Sequence, residues 1–297
     1  MQILIGRLSV LRLSPVSGVS CCLPGESRFK AGATLIDHVI ATTFHRFMGN
    51  GRTSPAIFSC VGGESEGTKE YVVKLRGGLE LGARGLALEL YASMLGSYFG
   101  MSCPRPAVVL IEEDLATLIL GQLDRDSQKA RVIQRSIGWN FGSQFLVNLT
   151  AWPIDKSVTG PLQQAAMRVF AFDALIQNPD RQFANPNLGS RGDDLFIYDH
   201  ESAFSFLLDI LPSPTPWKLG TEGYLERHVF ARALKQVAFP SDFLKRLGNL
   251  TAEMTRFFTE HIPTEWGSGD LAKIDSHLAL MSSHAAEFAE EVTGRLA

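Results

Sequence analysis

A chain of 297 residues and 32.6 kDa can form one large domain or two lobes, each burying a core of its own. With 45% hydrophobic and 20% charged residues and a mean hydropathy of +0.06, the composition excludes a disordered chain, and no run approaches the roughly 18 apolar residues of a membrane helix. A formal net charge of -3 and a pI near 6.2 offer no general field for nucleic acid or an anionic membrane surface, so neither is expected as a partner. Cys21, Cys22, Cys60 and Cys103 form no CxxC pair and read as reduced thiols. Arg7 and Arg12 interrupt the apolar opening, which therefore lacks the centre of a signal peptide. A cytoplasmic protein is the expectation.

Residues 1 to 32 mix short apolar pieces with Pro15, Gly18, Pro24 and Gly25 and read as a flexible arm. From "ATLIDHVIATTFHRF" the pattern becomes strand-like, and "PAIFSCV" and "EYVVKL" flank the turn-rich "GGESEGTK" as arms of a hairpin. In "GLALELYASMLGSYFG", Leu86, Leu90, Met94 and Leu95 recur at helical spacing, with Gly100 placed to end the helix. "PAVVLI" returns as a strand. Between 112 and 160 the pattern weakens: "EEDLATLILGQLDRDSQKARVIQ" reads as strand then linker, and "WNFGSQFL" as a loop entering a helix. A helix follows from Pro161, a tolerated first-turn position, with an apolar stripe through Met167, Phe170, Ala171 and Ala174 that delivers the chain to Asn178. Residues 224 to 297 read as several helices separated by Pro240, Pro263 and the Gly267 to Gly269 stretch. A β-rich front and a helix-rich back predict an α+β protein of two unequal lobes, 33 to 115 and 116 to 297.

The chemistry-bearing residues gather on these elements. "NPDRQFANPN" sets Asp180 five residues before Asn185, and the strand "DLFIYD" brings a second carboxylate, Asp199, behind them. Metal-assisted phosphoryl transfer needs this set: carboxylate and amide oxygens to hold a dication, and a carboxylate near the attacking hydroxyl. Taken alone, the loop reads equally as Asn and Asp capping turns. Upstream, Lys74 lies in the apolar strand "YVVKL" and Glu89 in an apolar stretch of helix, and each supplies a reason for the other's burial. "GNGRTSP" precedes the first hairpin arm, and its Gly49 and Gly51 permit backbone N–H groups to approach phosphates, although the loop is not GxGxxG.

Two rival motifs share the turn between the hairpin arms. "GESEG" would make Ser65 a hydrolase nucleophile, but that elbow must lead into a helix and here leads into a strand. Gly62, Gly67, Thr68 and Lys69 approximate a Walker loop, but Glu64 and Glu66 stand where phosphate would approach. The seven histidines, His277 and His284 among them, form no zinc spacing, and His200 reads as support for the Asp199 loop.

Together "GNGRTSP", "YVVKL", Glu89, "FGSQFL", "NPDRQFANPN" and "YDHE" resemble the HipA-like kinases, in particular short forms with little beyond the kinase domain, over about residues 33 to 290. The resemblance implies a bilobal protein-kinase-like fold with a β-rich N-lobe and a mostly helical C-lobe, and ATP and magnesium as cofactors. It implies Asp180 as catalytic base, Asn185 and Asp199 as magnesium ligands, and Lys74 as the phosphate-binding lysine held by Glu89. The loop carrying Gly49, Gly51 and Ser54 would cover the nucleotide, with Thr53 or Ser54 as a counterpart of the family's autophosphorylated serine. The acceptor implied is Ser or Thr of a protein. A small-molecule or lipid kinase, or a nucleotide-binding regulatory module without turnover, are the alternatives. The best-known members are toxins. Nothing here resembles the extra N-terminal subdomain of the long toxin forms, so an antitoxin-like regulator is a weaker implication.

Overall fold

The computed structural model describes residues 36–297, apart from 50–52, 64–66, 154, 193, 212, 221–222 and 268. The arm expected at 1 to 32, Gly51 and Ser65 fall outside the described residues.

Alternating burial builds the first unit. In β1 (Asp37–Phe47) Asp37, Val39 and Ala41 turn inward while His38, Ile40 and Thr42 face out. β2 (Ala56–Gly62) and β3 (Thr68–Lys74) form the expected hairpin, paired from Ala56–Val73 to Val61–Thr68. β4 (Pro106–Ile111) and β5 (Gly138–Gln144) complete a closed barrel in the order β1-β2-β3-β5-β4, the seam being the parallel pair β1–β4. The seam pairs Asp37–Ile40 with Ala107–Leu110. Val39, Phe58, Tyr71, Val73, Val109 and Ile111 fill the interior.

β5 lies past residue 115, where the sequence placed the end of the β-rich part, and it is a strand where a loop was expected. Its "GWNFGSQ" carries few β-formers, but Asn140 is fully buried and satisfied: Nδ2 donates to the carbonyls of Ser136 at 2.7 Å and Gly138 at 2.9 Å, and Oδ1 accepts from the backbone N–H of Arg76 at 2.9 Å. The stretch expected as strand then linker is instead two helices, α2 (Glu113–Leu120) and α3 (Gln128–Gln134). α2 opens on Glu113 and Asp114, suited to the positive helix start, and Ser127 caps α3 by accepting from Ala130 N–H at 3.1 Å. Ala116, Ile119 and Ile133 then cover the barrel interior's end.

α1 (Ala83–Tyr98) is buried around nearly its whole circumference, which is why its apolar stripe is broad. It packs with α4 (Pro161–Leu175), α5 (Ser241–Gly248), α6 (Ala252–Glu260), α7 (Leu271–Ser283) and α8 (Ala285–Arg295) in a second core, separate from the barrel's. Phe99 stacks on Phe243 at 4.3 Å between ring centroids, and Tyr91 sets its ring edge-on to Phe204 and Phe258. Each such aromatic, fully buried, stabilises the fold by about 1.5–3 kcal/mol. Two polar ties fix α1 to the later helices: Tyr91 Oη donates to Asp275 at 2.7 Å, and Arg84 Nε pairs with Asp270 at 2.6 Å. A small sheet of β6 (Thr150–Ala151), β7 (Leu188–Arg191) and β8 (Asp194–Ile197) carries the Asp199 segment. Among the described residues no helix is long and apolar enough to cross a membrane.

Candidate active site

β3 aims Lys74 at α1. Tyr71 and Val73 point into the barrel, so the two-residue period sends Lys74 to the opposite face. There Nζ lies 2.9 Å from Glu89 Oε2 and 2.6 Å from Asp199 Oδ1. Lys74 and Glu89 are both buried, and a buried ion pair persists only where geometry and further hydrogen bonds compensate desolvation. The compensation is present: Glu89 Oε2 also accepts the backbone N–H of His200 at 2.6 Å. Burial pushes the Glu89 carboxyl up, but Lys74 and His200 outweigh it and hold it at about 2. Burial disfavours the Lys74 ammonium, yet Glu89 and Asp199 raise its pKa above the ordinary value.

Asp199 follows β8 in the left-handed region, at φ 61°, a conformation Asp tolerates better than most residues. The turn separates the directions of three neighbours: Asp199 meets Lys74, the His200 N–H meets Glu89, and Glu201 reaches the start of α1. His200 itself is fully buried, its ring edge-on to Phe172 at 6.1 Å and Nδ1 3.7 Å from Glu89 Oε1.

The Asp180 loop hangs from a buried anion at the end of α4. Asp173, with no exposed surface, accepts from Arg181 Nε at 2.5 Å, Asn178 Nδ2 at 2.9 Å and His228 Nε2 at 3.0 Å. The His228 tautomer follows, because its Nδ1 accepts from Phe230 N–H at 3.1 Å and Nε2 must carry the proton. Burial, the largest influence, keeps that imidazole neutral by lowering its pKa. Burial also opposes Asp173 ionisation, but Arg181 and His228 prevail and hold its carboxyl at about 2. Arg181, itself buried, sends Nη1 to the carbonyls of Asn187 at 2.6 Å and, less closely, Tyr198 at 3.4 Å. One guanidinium thus ties the Asp180 loop to the residue preceding Asp199.

Asp180 is partly exposed, and Asn187 Nδ2 donates to its Oδ2 at 3.1 Å. Its pKa is raised, first by burial and then by Asp199, against the opposing pull of Asn187, Arg181 and Lys74. A raised carboxylate pKa suits a group that must accept a proton.

The structure thus brings Lys74, Glu89, Asp199 and Asp180 into one electrostatically coupled region. Asn185 is exposed, its backbone bonded to Gln182 at 3.1 Å, and the amide that reaches Asp180 is Asn187, two residues on. Gly49 is exposed at the end of β1, and Met48 N–H bonds Pro55 C=O at 2.7 Å to close the loop between them. Thr53 presses its carbonyl on Gly78, where a Cβ would lie 2.4 Å from that oxygen, so only glycine fits beneath this loop. Ser54 adopts φ 47° within it.

A family model described as HipA-like kinase matches residues 40–291, a span running from β1 through α8 and including every residue of this cluster. The chain belongs to the HipA-like kinase family. A search of the curated proteins finds no match. Among solved structures, the HipA-like chain is similar to the Helicobacter pylori proinflammatory kinase CtkA, at 10% identity and a TM-score of 0.48, over 87% of this chain and 98% of that one. The family implies a kinase-type phosphotransferase that uses ATP and, as kinases usually do, a divalent metal.

Hard oxygen donors suit magnesium; Asp199 supplies a carboxylate, and Asn185 and Asn187 supply amides of that kind. Among the described residues no three His, Cys, Asp or Glu side chains converge as a closed metal cage.

Proposed function

We propose that this HipA-like kinase has the two-lobed protein-kinase architecture and transfers the γ-phosphoryl group of ATP, with magnesium, to a Ser or Thr hydroxyl of a protein. The observation that carries the reading is the convergence of Lys74, Glu89 and Asp199, from β3, α1 and the β8 turn, beside an Asp180 held by Asn187.

Lys74 neutralises the α and β phosphates, and Glu89 fixes its direction. Magnesium bound through Asp199 and Asn187 would neutralise charge on the β and γ phosphates. Asp180 orients the acceptor hydroxyl and takes its proton as the oxygen bonds to the γ phosphorus and the bond to the β–γ bridging oxygen breaks, releasing ADP. Positioning and charge neutralisation provide most of the rate.

A protein acceptor is supported by the segment that follows the Asp199 turn. Leu208, Ile210 and Leu211 are 71%, 97% and 84% exposed, a cost in water that contact with another chain would recover. Ile210 lines a cavity of about 700 Å³ whose lining also includes Gln177, three residues before Asp180. The test is incubation of the purified protein with γ-labelled ATP, magnesium and a cell extract. Acid-stable label on Ser or Thr of an extract protein is the expected result; label only on small molecules would move the acceptor class to metabolites or lipids.

A further inference from the structure

Helix α1 carries Glu89, yet its first turn lacks its own terminal partners. The residue at its N-cap is Gly82, which has no side chain to accept from the orphan N–H groups, and no first-turn residue is acidic. A carboxylate arrives instead from the far side of the site. Glu201 lies so close to Gly85 that a Cβ there would stand 3.2 Å from Oε1 and 3.3 Å from Cγ, and although burial, the largest influence, raises its pKa, the Leu81 backbone beside the N-cap favours its charged form. A negative group at this position also complements the positive end of the helix.

We propose that Glu201 is a positioning residue of the phosphotransferase centre, acting from the Asp199 turn as the missing anchor for the first turn of α1. The inference rests on the kinase reading. Asp199, His200 and Glu201 then form a three-point clamp: the first holds Lys74, the backbone of the second holds Glu89, and the third packs on Gly85, about one turn before Glu89. Because the three residues are consecutive, any movement of the metal-binding turn is transmitted to both ends of the Lys74–Glu89 pair. Gly85 is what admits the contact. A Cβ at that position would force the Glu201 side chain to give by a few tenths of an ångström.

Glu201→Ala, Glu201→Gln and Gly85→Ala discriminate this role from simple packing. In Glu201→Ala, turnover of bound ATP is expected to fall about tenfold while the ATP dissociation constant moves less than about threefold, since misplaced groups cost rate more than binding. Glu201→Gln keeps an oxygen for Leu81 and is expected to recover most of the loss. Gly85→Ala introduces a better helix former, so a purely structural account predicts equal or greater thermal stability and unchanged turnover. The clamp predicts turnover reduced in the same sense as in Glu201→Ala, by a smaller factor.

Hydrogen exchange of the amides of residues 83–88 supplies a readout independent of chemistry. Faster exchange there in Glu201→Ala, with β3 unchanged, is expected. Wild-type exchange and wild-type turnover in Glu201→Ala and Gly85→Ala would overturn the proposal. If the wild-type protein neither binds nor turns over ATP, the kinase reading fails instead, and the exchange experiment still decides whether Glu201 holds α1.

Discussion

Asp173→Ala should be the most damaging single substitution outside the residues that touch substrate. Asp173 has no exposed surface and is the common acceptor for Arg181, His228 and Asn178 at 2.5, 3.0 and 2.9 Å. Its removal leaves the buried Arg181 guanidinium with carbonyl partners but no counter-charge. Breaking a buried pair this way costs about 3–5 kcal/mol, a large share of the roughly 5–15 kcal/mol by which domains are stable. At roughly 2–4 °C per kcal/mol for a chain of this class, the melting temperature should fall by about 6–20 °C. Circular dichroism melts of the purified variant measure this. Arg181→Met combined with Asp173→Leu should lose less than either charge-breaking single variant, because no unpaired charge remains. An Asp173→Ala protein melting within about 2 °C of wild type would refute the reasoning, since a shift that small corresponds to no more than about 1 kcal/mol. The sign with pH is fixed as well. The folded carboxyl, at about 2, lies below its ordinary 3.8, so the stabilisation is fully present above 3.8 and is lost as pH falls toward 2.

Lys74→Met should weaken binding of a fluorescent ATP analogue and lower turnover, because it removes the phosphate-facing charge and leaves Glu89 buried beside Asp199; binding and turnover both at wild-type level would contradict its role. Asn187→Ala should reduce turnover about a hundredfold and raise the magnesium concentration needed for half-maximal rate, while Asn185→Ala should change either by less than about twofold; the reverse ranking would return the metal role to Asn185. Burial pushes the Cys60 and Cys103 thiols up to about 12. In a Cys21→Ser, Cys22→Ser background the folded protein should therefore resist a thiol-specific disulfide reagent at pH 8 and react fully only when unfolded.

The sequence was most legible where a short pattern and its chemistry coincide. The hairpin, the α1 and α4 helices and the Lys74–Glu89 pair followed from apolar period and from the need of one buried charge for another. Legibility failed where tertiary contacts override composition. β5 pairs with β3 and β4 although "GWNFGSQ" is poor in β-formers, because Asn140 satisfies three polar groups inside the fold. The 113 to 134 stretch is apolar enough for a strand, but with barrel positions already filled it forms two amphipathic helices laid on that core. Asn185 and Asn187 carry equal chemistry, and only the backbone turn before β7 decides which amide faces Asp180. The Asp173–Arg181–His228 network joins residues from α4, the loop and the chain after the exposed apolar segment, a convergence that spacing alone does not report.

The central claim is that Asp180 serves phosphoryl transfer in a site built around Lys74, Glu89 and Asp199. Transfer of label from γ-labelled ATP, measured beside ATP affinity in wild type and Asp180→Asn, tests it most directly. The account predicts that the variant binds ATP within about threefold of wild type and loses at least about a hundredfold in transfer rate. Transfer at the wild-type rate in Asp180→Asn would contradict it.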